Sequence, residues 1–380
     1  MGAAHVLGMD LYDTRLPRSL MGGSRGMHFT YPPFAALLFW PFVKLSVGVA
    51  QAVWSILNIL ALAALTALSI CVVRPELPIQ RVWIIAAIAL FPLLQLSPDA
   101  LTLSYGQVNY FVALMVLLDL SISIRFGGHT LPSGVLLGIA AAIKLEPLIF
   151  IAFLILTRQF RTAATAFATF LLCTLGAFAI ARHSSWIYWS AEVFNAKRSG
   201  NLLYISDQNL QSAIQRIIGH TSDAAVLVFI SAVFALGGLA VAAWAYHESS
   251  PILGILVCAT TGLIVSPVSW VHHYVWIVPV LVWLALSRDR PLGGPWWALG
   301  AAALFWAAPI WRVTDPQQGF GGPPTLVEGN AFCLAAIVFV VLTAVRLSWL
   351  RRLALNLGAH QRERQSGPGT ITQIPAVDRD

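Results

Sequence analysis

The sequence predicts an all-α, polytopic membrane protein. Of its 380 residues 58% are hydrophobic and only 10% charged, where a soluble domain carries about 25% charged residues. Mean hydropathy is +0.76. The apolar runs are continuous, rich in Leu, Ala, Ile and Val, and near the ~20 residues that a bilayer-crossing helix needs. An outer-membrane barrel would alternate over ~10-residue segments instead. The net charge of +7 sits in short loops and the C-terminal tail, which suits membrane flanks and gives no reason to expect nucleic-acid binding.

The elements follow in order. FAALLFWPFVKL, after Pro32-Pro33, is too short to span and reads as an interfacial or re-entrant helix. Spans are expected at 47–73, 82–97, 108–124, 163–181, 223–246, 251–268, 271–287, 295–311 and 329–348, about nine in all. Arginines at 74, 81, 125, 158, 161, 288, 290, 346, 351 and 352 mark the cytoplasmic loops, while 98–107 carries none. The stretch GVLLGIAAAIKLEPLIFIAFLIL is flanked by basic loops at both ends, so it should enter and leave on one side. Lys144-Leu145-Glu146-Pro147 interrupts it, and proline breaks the helical ladder, so two half-helices with charges at their apex fit. The alternative is one kinked span with Lys144 and Glu146 as a structural ion pair. Residues 1–46, 98–107, 182–222, 269–270 and 312–328 then fall on the outer face. Cys71, Cys173, Cys258 and Cys333 lie in apolar runs without metal-ligand spacing and read as buried small side chains.

That outer face collects the polar sequence. Tyr31 stands in HFTYPP, as part of a site or as an interface anchor. Gln107 and Asn109 open a span, where an amide needs a partner or a wet cavity; amides suit hydroxyl-rich ligands, and helix capping is the alternative. The 182–222 segment carries the aromatic SSWIYWSAEVF and then SDQNLQS, with Gln208 and Asn209. A loop longer than ~12–15 residues is often functional. Lys144 sits deep, where a charge is usually paired or functional, and Glu146 or a phosphate would pair it. His272 and His273, between Trp270 and Trp276, would lie about 100° apart on a helix, so only one faces a given cavity. No HExxH or comparable cluster suggests a metal site, and no cofactor is expected.

FTYPPFAALLFWPFVKL, YGQVNYFVALMVLLDL, GVLLGIAAAIKLEPLIFIAFLILTRQFR, SDQNLQSAIQRIIG and SPVSWVHHYVWIVPVL, in this order, resemble glycosyltransferase family 87, actinobacterial membrane enzymes of the GT-C fold class. The resemblance covers roughly residues 3 to 350. It implies a GT-C-type helix bundle in the plasma membrane that uses a polyprenyl-phosphate-sugar donor at the outer face. Mannose in α-1,2 linkage, with a phosphatidylinositol mannoside or lipomannan as acceptor, is the leading expectation, and an arabinofuranose donor the alternative. Lys144, His272 and His273 become candidates for the donor phosphate. Tyr31, Gln107, Asn109, Gln208, Asn209 and Trp270 become candidates for substrate contact. The family's Asn-Gln-Ser triplet reads Asp207-Gln208-Asn209 here.

The resemblance also implies a first transmembrane helix followed by an Asp-x-x-x-Tyr-like stretch with the general base, and both are expected upstream of Met1. Within the chain Asp10 is the candidate base, with Asp13 nearby. A transporter would also carry broken helices, but transporters commonly show internal repeats and none is evident; an inactive remnant is the third reading. Residues 1–350 are expected to form one transmembrane domain and 351–380 a basic, disordered cytoplasmic tail.

Overall fold

The computed structural model describes residues 11–12, 28–125, 133–218, 223–288, 295–313 and 323–365, and these are helices and turns. In order they are α1 (Pro33–Leu38), α2 (Val47–Val73), α3 (Ile79–Leu94), α4 (Ser97–Ser104), α5 (Asn109–Arg125), α6 (Val135–Ile143), α7 (Ile149–Leu156), α8 (Phe160–Ile180), α9 (Arg182–Ser190), α10 (Leu210–Ile218), α11 (Ala224–Glu248), α12 (Pro251–Val265), α13 (Ile277–Leu286), α14 (Trp296–Ala307), α15 (Pro323–Gly329) and α16 (Ala331–Gln365). Among the described residues, four helices are long and apolar enough to cross a membrane: α2, α8, α11 and Ala331–Arg351 of α16. α3 and α4 together make a fifth if counted as one span. Shorter apolar helices, such as α12, fill the interior. Apolar side chains including Ile56, Leu60, Ile88, Phe91, Leu172 and Phe229 are exposed on the outside of the bundle, as expected for surfaces that meet lipid.

Several boundaries differ from the expected ones. The 98–107 stretch, expected as a loop, is mostly helix α4, bent by 85° from α3. Pro92 inside α3 and Pro98 in the first turn of α4 remove two backbone donors where the chain turns. The expected 271–287 span is split into a 3₁₀ turn, Val271–Trp276, and α13. The first half of the tail expected to be disordered continues α16 through Gln365. Its Leu-, Ala-, Arg- and Gln-rich sequence favours helix, and Gly367-Pro368-Gly369 follows.

The 132–157 stretch is a re-entrant pair. Gly134 lies against the backbone of Thr162, and Gly138 against Ala166 and Phe170, so α6 runs parallel to α8. Ala141 and Ala142 pack with Phe170, near Cys173. The chain reverses at Lys144–Leu148 and returns through α7 to the start of α8, where Thr157 caps α7. Entry and exit therefore share one end of α8. At that end Asp119 of α5 accepts hydrogen bonds from Gly134 N (2.9 Å) and Leu137 N (2.8 Å), capping α6 from a neighbouring helix. Gly134 has φ of +107°, which glycine adopts without the steric penalty of a side chain.

The long helices give the bundle two ends. Trp54, early in α2, donates to Gly106 O (2.7 Å), while Arg74 caps the other end of α2 and approaches Leu286 O (3.4 Å) at the end of α13. Arg346, about four turns into α16, reaches Ser249 at the end of α11 (3.3 Å). Arg74, Arg288 and Arg346 thus share one end, and the polar segments around Gln107, Lys144, Asp207 and His273 share the other.

A Cβ at Gly138 would lie 2.5 Å from Ala166 O and 2.9 Å from Phe170 N. Gly138→Ala should therefore force α6 off α8 and destabilise the protein by about 1–3 kcal/mol. Gly176→Ala and Gly237→Ala, with nothing within 4 Å, should leave the melting temperature in detergent unchanged or raise it slightly. Equal melting of all three variants would refute this packing.

Candidate functional site

At the apex of the re-entrant pair the sequence places Lys144, in extended backbone, two residues before Glu146, which opens a short 3₁₀ turn. This lets both side chains turn toward the same point. Lys144 Nζ lies 3.2 Å from Glu146 Oε1 and donates to Asn109 Oδ1 at 2.8 Å. His273 Nδ1 approaches the same Glu146 oxygen at 3.0 Å. Lys144 and His273 are both buried, and Glu146 is about 29% exposed at its side chain, so the cluster opens on the carboxylate side. One carboxylate thus joins a lysine and a histidine from distant segments. The expected pairing of Lys144 with Glu146 and the expected half-helix pair are both present, and they are parts of one arrangement.

The histidine segment is held from several sides. The His272 carbonyl accepts from Asn109 Nδ2 (2.5 Å) and from Thr102 Oγ1 on α4 (2.9 Å). The imidazoles of His272 and His273 are edge-to-face at 4.7 Å, and His272 also meets the Tyr105 ring at 5.6 Å. The two histidines therefore diverge, as their adjacency required: His273 faces Glu146 and His272 faces Tyr105.

Asp207 ties the 200–212 segment to the histidine segment. Its Oδ1 accepts from Ser269 N (2.8 Å) and Asn209 Nδ2 (3.0 Å), and its Oδ2 from Ser212 Oγ (3.0 Å). Backbone bonds from Gln208 N to Ser269 O and from Val271 N to Ser206 O complete a short antiparallel bridge between Asp207 and Trp270. Arg216 donates to the Asp207 carbonyl (2.7 Å) and to Asn330 Oδ1 (2.9 Å), anchoring the start of α16. Burial raises the Asp207 carboxyl to about 6 against the pull of these donors, and burial lowers Arg216 to about 10.

The candidates divide accordingly. Lys144, His273 and Asn109 come together around Glu146. Tyr31 joins their rim: its hydroxyl donates to Gln107 Oε1, and its carbonyl accepts from Tyr12 (2.9 Å). Gln208 and Asn209 are fully buried and engaged within the protein. Gln208 Nε2 donates to Ile205 O (2.6 Å) and Gly329 O (2.8 Å), and its Oε1 accepts from Phe332 N and Cys333 N. Asn209 bonds Asp207, Pro267 O and Ser212 N. The polar side-chain atoms of these two amides are engaged by protein groups, namely loop and helix backbone and the Asp207 carboxylate, so both amides staple these segments together. Asn109 is similarly a crosslink, from Lys144 to the His272 carbonyl. Trp270 lies over Gly200 and near Tyr204 (6.4 Å), so its ring supports the 200–204 turn. Asp10 and Asp13 lie outside the described residues. Sequence reasoning treated Glu146 only as a neutralising partner and passed over Asp119, Thr102 and Arg216. A carboxylate inside LMVLLDL and an arginine inside SAIQRIIG were the available signals, since charges among apolar residues need partners.

The family model of glycosyltransferase family 87 matches residues 29–267. A Mycobacterium tuberculosis protein described as a polyprenol-phosphate-mannose-dependent alpha-(1-2)-phosphatidylinositol mannoside mannosyltransferase is 32% identical over 296 residues, which are 72% of this chain and 67% of that protein. A Mycolicibacterium smegmatis protein of the same description is 31% identical over 76% of this chain and 68% of its own length. A second Mycobacterium tuberculosis protein, described as the corresponding pentamannoside mannosyltransferase, is 30% identical over 85% of this chain and 73% of its own length. No solved structure matches the chain.

Because the native state binds the Asp207 proton more tightly than an unfolded chain does, the stability it contributes is fully present below the ordinary value of 3.8 and is lost as pH rises through about 6. The stability of wild type relative to Asp207→Asn should therefore fall by up to about 3 kcal/mol between pH 4 and pH 7. Melting curves across that range check it, and a pH-independent difference would contradict it.

Proposed function

The chain belongs to glycosyltransferase family 87, and from that membership we propose that it moves a mannosyl residue, in α-1,2 linkage, from a polyprenyl-phosphate donor to a phosphatidylinositol mannoside or related lipoglycan. It is an integral membrane glycosyltransferase, and the mannose donor and the acceptor follow what its mycobacterial relatives are described as using. The observation that carries the site assignment is the cluster of Lys144, Glu146 and His273 at the apex of a broken helix, at the end of the bundle that also holds the longest polar segment.

In this reading the donor phosphate competes with Glu146 for Lys144 and His273. An acceptor hydroxyl oxygen attacks the anomeric carbon, the bond from that carbon to the phosphate oxygen breaks, and polyprenyl phosphate leaves with the electron pair. Charge grows on the departing phosphate, and a lysine held in place by Asn109 stabilises it without rearranging. The hydroxyl proton passes to a carboxylate, with Asp10 the candidate within the chain. Tyr31 and Gln107 border the opening and suit hydroxyl recognition. His272 shapes the segment through its carbonyl, while Gln208, Asn209 and Trp270 hold the walls. We place this end of the bundle at the outer face, because Arg74, Arg288 and Arg346 gather at the opposite end. Residues 1–350 then make up the catalytic domain.

Lys144→Ala and His273→Ala should each lower transfer about 10²–10³-fold, the range expected for removing one preorganised charge-stabilising group. His272→Ala should cost less, since its structural bonds come from the backbone. The assay uses membranes carrying this chain, with radiolabelled polyprenyl-phosphate mannose and phosphatidylinositol mannoside. Full transfer by both alanine variants in a form active as wild type would sink the assignment.

A further inference from the structure

At the end of the bundle away from this site, a cavity of about 280 Å³ opens where α2, α12 and α13 end or begin, and its lining includes Arg74, Glu76, Ser250, Trp283, Ser287 and Arg288. Arg74 Nε donates to Glu76 Oε1 at 2.6 Å, and Arg288 Nη2 donates to the same oxygen at 3.1 Å. Two guanidiniums thus share one carboxylate oxygen, which leaves a net positive charge and several N–H donors uncommitted, since each guanidinium carries five. The N-terminus of the 15-residue helix α12 adds a partial positive charge at the cavity wall, where Ser250 serves as its N-cap. Arg346 lies close by, donating to Ser249 Oγ at 3.3 Å. Cationic donors and a helix N-terminus around one cavity describe an anion site rather than a closed ion pair.

The position indicates the anion. α2 is 27 residues long, about 40 Å, against a hydrocarbon core of ~30 Å, so its Arg74 end stands at headgroup level. We propose that this cavity binds the phosphate of an anionic glycerophospholipid headgroup, with Arg74 and Arg288 as its forked donors. A choline headgroup would set its own cation against the arginines and is disfavoured. Glu76 occupies the arginines when the headgroup is absent. A soluble phosphate ion presents the same oxygens, so the test separates the two sources.

The full chain, purified in a neutral detergent, is titrated with phosphatidylglycerol, phosphatidylcholine or inorganic phosphate, and bound species are read by native mass spectrometry. The expected result is retention of one phosphatidylglycerol with at least tenfold preference over phosphatidylcholine. Arg74→Gln combined with Arg288→Gln should abolish that preference. Glu76→Gln should strengthen binding several-fold by releasing both guanidiniums, an outcome that a merely structural ion pair does not produce. Glu76→Gln carries the test if the double variant does not fold. Phosphate bound at the same residues without lipid preference would assign the soluble ion as ligand. Equal retention of both lipids by wild type and the double variant, with no phosphate bound, would overturn the proposal, as would weaker binding by Glu76→Gln.

Discussion

An ammonium group inside a membrane bundle must find a negative partner, and this fold is organised around giving Lys144 one. A charge buried in protein without a partner costs several kcal/mol. Here it is met by Glu146 two residues away and by Asn109 across the bundle. A regular helix would place residues two apart about 200° around its axis, so Lys144 and Glu146 could not converge. Breaking the helix at Lys144–Leu148 lets them converge, and Pro147 favours the break by removing a backbone donor there. The re-entrant course of α6 and α7, the close approach of α6 to α8 at Gly138 and the capping of α6 by Asp119 all serve that interruption.

The histidine segment depends on the same cluster and on a second one. His273 completes the charge arrangement only because the 3₁₀ turn Val271–Trp276 is pinned by Thr102, Asn109 and Asp207. Asp207 does this at some electrostatic cost. It is a buried carboxyl surrounded by donors, with Arg216 bonded to its backbone carbonyl. The 200–212 segment therefore acts as a brace between the histidine segment and the start of α16. The side chains of Ser206, Asp207, Gln208, Asn209 and Ser212 are turned inward, which leaves the rim of the opening to Tyr31, Gln107 and Glu146.

The long helices link two chemically different ends. One end concentrates amides, aromatic rings and the charge cluster, and the other gathers arginines around a cavity. Apolar faces between them meet lipid, while α12 fills the middle with residues that are nearly all buried. A glycosyltransferase that draws its donor and acceptor from a membrane needs such an interior, because only there are a phosphate and a lysine shielded from water's screening.

Local chemistry made part of this legible in the sequence. Long apolar runs specify helices in lipid, since every backbone donor must be satisfied within the segment. Lys144-Leu145-Glu146-Pro147 announced a break and the arginine distribution announced two ends. The order of motifs announced the family, which its matching model bears out. Other features depend on contacts between distant segments. Nothing in SDQNLQS tells whether an amide meets a sugar or a neighbouring carbonyl; the fold decided that Gln208 and Asn209 face inward, because the 266–274 segment and the start of α16 come to lie against them. Nor does the sequence reveal that Glu146 is shared with His273 or that Asp119 caps α6. Hydrophobicity and backbone geometry act over a few residues and can be read from the chain, whereas the pairing of buried polar groups is settled only when the helices pack.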